Sequence, residues 1–154
     1  MIPVAKFRYS LQSILDIKMK METQAKQEFS FAQNALSEEE HKLDVLHKRK
    51  REYEENAGAL LMGPLKIRDI EDNKNAILCM DGYIAEQIKK VKLAEQKVME
   101  ARAKLTDVMK ERKTQETLRE KAFEEFMQEE NRQEGKTVDE LTSYTYGRKR
   151  QVKH

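Results

Sequence analysis

Hydrophobic residues recur every seven positions through the middle of the chain. Ile70, Ile77, Ile84, Val91, Val98 and Leu105 form one row, and Met80, Ala94, Ala101 and Val108 lie three positions after members of it. This is the a/d spacing of a coiled coil. A seven-residue repeat held this long winds its apolar stripe left-handedly around the helix, so the stripe stays buried only against a helix that winds with it. A second row supplies that partner: Leu15, Phe29, Leu36 and Leu43 at one seam position, with Leu11, Ala25, Ala32, Leu46 and Tyr53 at the other. Lys18, Glu22, Glu39 and Lys50 also fall on its seam positions, and Ile14, Met19 and Met21 flank the first two. Long charged side chains can lay their aliphatic stems along a seam, so a weakened interior is expected and not a break.

The two rows predict an all-α fold, a long antiparallel two-helix coiled-coil hairpin with the second helix overhanging the first. The expected order is an N-terminal arm over 1–9, helix one over 10–57 behind Ser10 as N-cap, a turn over 58–66, helix two over 67–134 and a flexible basic tail over 135–154. Gly58 suits the position just past a helix, and Pro64 the first turn of the next. Gly82 interrupts helix two at about 1 kcal/mol relative to alanine. Helix one, of about 47 residues, would be roughly 70 Å long, and helix two, of about 69, roughly 100 Å. Closure near residue 62 brings Leu11 opposite Lys113 and leaves a stretch from about 115 to 134 unpaired. Seam chemistry changes at the same place, from Leu105 to Arg112 and Arg119 at one position and from Val108 to Gln115 at the other.

Two apolar features each admit two readings. Ala59-Leu60-Leu61-Met62 either folds back to plug the hairpin end or stands out as a docking tip. Leu118, Ala122, Phe123 and Phe126 make a short stripe at helical spacing among charged neighbours. Either Phe7 and Tyr9 of the arm fold onto this stripe, or it awaits another protein. Further on, Val138, Leu141, Tyr144 and Tyr146 give a faint pattern, and Arg148-Lys149-Arg150-Gln151-Val152-Lys153-His154 is a basic end of the kind that is usually solvated.

Composition narrows the function. Charged residues make up 38%, mean hydropathy is −0.88, and there is no Trp and little Gly or Pro, a profile of long helices around a thin core. Net charge is +2 with the signs interleaved, which argues against nucleic acid as a partner. The single cysteine, Cys79, lies off the seam and suits a reducing compartment. Neither a signal peptide nor a membrane-spanning run is expected. His41, His47 and His154 are too scattered for a ligand motif, with His47 and Cys79 the one pair a hairpin would bring together. Gly58 and Gly63 lack the Lys-Ser/Thr that follows in a phosphate loop. No enzyme activity, no cofactor and no metal are therefore expected.

Two runs resemble the end signatures of the flagellar export protein family FliJ: Phe7-Arg8-Tyr9-Ser10-Leu11-Gln12-Ser13-Ile14-Leu15-Asp16-Ile17-Lys18 and the stretch from Phe126 to Glu140, whose most specific part is Glu130-Asn131-Arg132-Gln133-Glu134 followed by Asp139-Glu140. The resemblance implies a stalk-like coiled coil of the bacterial flagellar type III export apparatus, similar to the rotor stalk of F- and V-type ATPases. Such a protein inserts the end bearing both termini into the hexameric export ATPase FliI, promotes its assembly, and contacts the export gate protein FlhA. A FliH-type regulator and export chaperones are further implied partners, and the implied location is cytoplasmic, peripheral at the cytoplasmic face of the cell membrane. Carried onto this sequence, the resemblance implies an ATPase contact at Phe7, Tyr9, Arg119, Phe123, Phe126, Asn131, Arg132, Glu134, Asp139 and Glu140. It implies a gate contact at Leu46, Tyr53 and Tyr83, of which Leu46 and Tyr53 are equally seam residues. Gly135 departs from the signature and is expected to end or bend the helix, leaving Asp139 and Glu140 in a flexible tail.

Two other functions fit the residues less well. A structural spacer or homo-oligomer would pair its seams between chains. A nucleic-acid binder would use Arg148–Lys153 and would bind with strong salt dependence.

Overall fold

The computed structural model describes residues 6–152, with side chains through Tyr146. Two helices pack against each other as a hairpin: α1, Gln12–Leu60, of 49 residues, and the longer α2, Ile67–Val152, of 86. Their contacts divide into two compact units. One is Glu22–Val108, and the other joins the described parts of Met1–Met21 and Met109–His154.

In the Glu22–Val108 unit the heptad rows form the core. Ala25, Met80, Ile84, Val91, Ala94 and Val108 are buried, and Phe29, Leu36, Leu43, Ile77, Val98 and Leu105 are half-buried. The seam is narrow, since a two-helix contact leaves every large side chain one edge in water. Three buried residues on it or beside its charged positions are polar: Glu22, Asn73 and Gln87. Gln87 Nε2 donates to the Glu39 main-chain oxygen at 2.9 Å and also to the Glu39 carboxylate. Asn73 Nδ2 donates to the Tyr53 carbonyl at 3.2 Å, and Asn56 Nδ2 donates to Asn73 Oδ1 at 3.2 Å. Lys50 Nζ meets Asp81 Oδ1 at 2.7 Å, and Lys104 Nζ meets Glu28 Oε2 at 2.9 Å. Glu39 and Lys50 on the seam thus have cross-helix partners, and Glu22 pairs with Lys26 of its own helix at 3.4 Å; a buried polar group left alone would lose about 1–3 kcal/mol.

The hairpin end differs from the sequence expectation. Helix α1 passes through Gly58, which has no positive φ, and ends at Leu60. Ala57 and Leu60 continue the heptad row and are half-buried, so packing carries the helix one turn beyond the glycine. The amides of Leu61 and Met62 then reach back to the Gly58 and Ala59 carbonyls at 3.3 and 3.1 Å, tightening the last turn. Pro64 lies in the turn and α2 starts at Ile67, so the proline does not open the second helix. Leu60 packs inward, whereas Leu61 and Met62 stand exposed.

The second unit contains the start of α1 and the remainder of α2. Gln12 N–H bonds the Tyr9 carbonyl at 3.1 Å, and the Ile14 and Leu15 amides bond the Leu11 carbonyl at 3.0 and 3.1 Å, so regular helix begins one residue later than Leu11. Lys18 pairs with Glu111 at 2.7 Å, and Arg119 Nε donates to Gln12 Oε1 at 3.0 Å. The start of α1 therefore lies beside Arg119, not Lys113. The longer α1 and the later turn move the pivot of the hairpin toward higher residue numbers. Helix α2 also continues through Gly135 to Val152, where an end near residue 134 was expected. A glycine in a helix of this length costs only about 1 kcal/mol, less than breaking a cooperative helix into two. The side chains of the basic end, from 147 onward, and the arm residues 1–5 lie outside the described residues.

Candidate functional site

Residues that precede α1 turn back onto α2. Gln12 fixes this geometry: its side chain accepts from Arg119 while its amide closes the turn that begins at Tyr9. Tyr9 then donates its hydroxyl to Gln115 Oε1 at 3.3 Å. Phe7 is half-buried against two rings of α2, edge-on to Phe123 at a centroid distance of 5.2 Å and an interplanar angle of 78°, and tilted against Phe126 at 5.5 Å. The Arg119 guanidinium lies 5.8 Å from the Phe7 ring centroid. Edge-to-face pairs of this kind add about 0.5–1.5 kcal/mol to the burial of the rings, and an exposed cation over a ring about 0.5–1 kcal/mol. Of the two readings of the Leu118–Phe126 stripe, the structure shows the one in which the arm lies on it. Cover extends along α2 to Phe126, so the unpaired part begins well beyond residue 115.

Five of the ten residues expected at an ATPase contact are thus brought together: Phe7, Tyr9, Arg119, Phe123 and Phe126. The other five continue along α2 as exposed side chains. Arg132 pairs with Glu129 one turn back, while Asn131, Glu134, Asp139 and Glu140 face solvent. Asp139 and Glu140 belong to the helix and not to a tail. Apolar residues accompany them, with Met127, Val138, Leu141, Tyr144 and Tyr146 exposed.

The three residues of the expected gate contact lie in the Glu22–Val108 unit. Leu46 is a half-buried seam residue, whereas the Tyr53 and Tyr83 side chains are exposed. Tyr53 contributes its carbonyl to the Asn73 bond. Cys79 is exposed, and among the described residues no group of three His, Cys, Asp or Glu side chains could hold a metal. No described helix is long and apolar enough to cross a membrane.

Two ionisable groups are shifted. The Gln87 amide bonded to Glu39 holds that carboxyl below its usual range, assisted by Lys42 and opposed by partial burial. Lys50 is raised, first by its hydrogen bond and then by its charge interaction with Asp81. Gln87 and Asn73 went unread in the sequence although heptad counting locates both, three positions after Ile84 and Ile70. Gln12 and Gln115, which anchor the arm, carry no comparable signal.

The chain is an all-α hairpin of two long helices whose arm packs onto the longer one. The family model of the flagellar FliJ protein matches residues 7–151, and the chain belongs to the FliJ family, components of type III export. In the solved structures, a Chlamydia trachomatis protein, CT670, described as a YscO homologue, has the same fold with a TM-score of 0.58 and 22% identity, over 95% of this chain and 99% of that one. No individual curated protein matches.

Proposed function

We propose that this protein is a non-enzymatic stalk of the flagellar export apparatus. It binds the hexameric FliI-type ATPase, promotes its assembly and activity, and couples it to the FlhA-type gate. It works in the cytoplasm at the inner face of the cell membrane, with a FliH-type regulator and export chaperones as further partners. The observation that carries this reading is the family match across 7–151, which includes both the clasp and the exposed helix beyond it. A ring that grips a helix needs a slender element bearing charges and a few apolar anchors. The stretch of α2 after Phe126 has both, with Asn131, Arg132, Glu134, Asp139 and Glu140 interspersed among Val138, Leu141 and the two tyrosines. Phe7, Tyr9, Arg119, Phe123 and Phe126 brace its base. Gate contact falls to Leu46, Tyr53 and Tyr83, with the two exposed rings as the accessible anchors.

The test is ATP hydrolysis by a FliI-type enzyme with full-length protein, with a chain ending at Met127 and with one ending at Gln115. Both shortened chains retain the Glu22–Val108 pairing, and the longer one retains the Phe7 clasp. Stimulation should be lost in both. Full stimulation by the chain ending at Gln115 would overturn the proposal, and full stimulation by the Met127 chain alone would restrict the contact to the clasp.

A further inference from the structure

The turn between the helices is the most apolar exposed feature of the Glu22–Val108 unit, and the proposed ATPase and gate contacts do not use it. Four large apolar side chains project within seven residues: Leu61 is 66% exposed, Met62 91%, Leu65 65% and Ile67 73%. Soluble surfaces scatter such residues singly, and a cluster marks a contact. Charge indicates the kind of contact. From Asn56 to Arg68 the chain has no acidic residue, and its two ionic groups are Lys66 and Arg68, each beside an exposed apolar side chain. The carboxylates resume immediately afterwards with Asp69, Glu71 and Asp72. This thirteen-residue window is thus purely cationic, as are 1–15 and 141–154, and within the Glu22–Val108 unit it is where the exposed apolar side chains gather.

We propose that the 61–68 turn docks on an anionic lipid surface, with Leu61, Met62, Leu65 and Ile67 entering the headgroup boundary and Lys66 and Arg68 meeting lipid phosphates. Interfacial binding takes its strength from buried apolar area together with attraction to anionic lipid, and both are present in the turn. Backbone polarity does not oppose shallow entry, since the Leu61 and Met62 amides are already bonded to Gly58 and Ala59. Asp69, Glu71 and Asp72 limit the depth to the turn, because an anionic surface repels them. The contact is therefore shallow and reversible. Each cation near such a surface is worth roughly a fivefold gain in binding, so the pair predicts a preference of tens-fold for anionic over neutral vesicles.

Vesicle flotation of the full chain tests this, using phosphatidylcholine alone and phosphatidylcholine in which a third of the lipid is phosphatidylglycerol. The protein should float with the anionic vesicles, weakly or not at all with the neutral ones, and less as salt is raised. Leu61→Gln with Met62→Gln should abolish flotation, and Lys66→Glu with Arg68→Glu should reduce it by an order of magnitude or more. All four positions are in or next to the exposed turn, and an unchanged helical melting curve checks that the hairpin is intact. Absence of flotation, or flotation that survives both double variants, would overturn the inference. Survival in the variants would move lipid binding to the basic segment Arg148–Lys153. If the turn variants instead lose a protein partner while vesicles are ignored, the turn serves a protein and not a lipid. None of these outcomes depends on ATPase stimulation, so the inference and the stalk proposal stand or fall separately.

Discussion

Phe7 meets Phe123 edge-on at 5.2 Å, across a separation in sequence that takes in all of α1, the turn and most of α2. This contact lays a short arm along an apolar stripe on α2, where Phe126 and Arg119 also meet the Phe7 ring and Leu118 and Phe123 keep part of their surface exposed. Phe7→Ala should release the arm at a loss of about 1–3 kcal/mol of local stability. Amide exchange of the 7–12 and 115–126 segments should quicken, while that of the Glu22–Val108 unit stays as it was. Exchange that is unchanged in 115–126 would mean that the rings contribute nothing to order there.

The hairpin and its seam were legible in the sequence because a seven-residue repeat allows very few structures. The rows from Leu15 and Ile70 describe the core that is found. What escaped had local causes. Seam burial of Ala57 and Leu60 overrode the breaker signal of Gly58, and helix cooperativity overrode that of Gly135. Half of the site was readable, since the stripe around Phe123 follows helical spacing and Phe7 and Tyr9 stand out in the arm. Whether arm and stripe meet depends on register, which is set by the length of the turn and has no periodic signature. Residues such as Gln12 and Gln115 acquire meaning only once that register is known.

Gln87 and Glu39 mark one polar layer of the seam and give a second prediction. A single polar pair at a coiled-coil core position fixes register at some loss of stability. Gln87→Ala removes a donor to both the carbonyl and the carboxylate of Glu39 and should lower unfolding stability by about 1–3 kcal/mol. In a double-mutant cycle with Glu39→Ala, the two losses should fall measurably short of additivity. Strict additivity in urea unfolding would show that the two side chains do not interact in solution.

The same layers set the response to pH. Glu39 has a folded pKa below its unfolded value, so its contribution is present above about pH 4.3 and is lost as pH falls through the lower folded value. Lys50 has a folded pKa above its unfolded value, so its contribution is present below about pH 10.4 and is lost as pH rises through the higher folded value. Thermal melts across pH should therefore show a plateau with an acid and an alkaline limb. Gln87→Ala should flatten the acid limb, and Asp81→Asn the alkaline one. Identical limbs in variants and parent would assign them to other groups.

Gly82 and Gly135 both lie within α2, neither has a positive φ, and a Cβ built on either meets nothing within 4 Å. Replacement by alanine therefore adds helix propensity with no steric penalty, a gain of about 0.5–1 kcal/mol at each site. The two gains should be read by different probes, because each glycine belongs to a different compact unit. Gly82→Ala should raise the melting temperature of the seam around Ile77 and Ile84. Gly135→Ala should slow amide exchange from about Arg132 to Val138 and leave exchange around Gly82 as it is. If α2 is gripped as a continuous helix, Gly135→Ala should also preserve or increase stimulation of a FliI-type ATPase. A loss of stimulation alongside slower exchange would show that the partner needs a bend at Gly135, and that the straight helix is the form to which it binds less well.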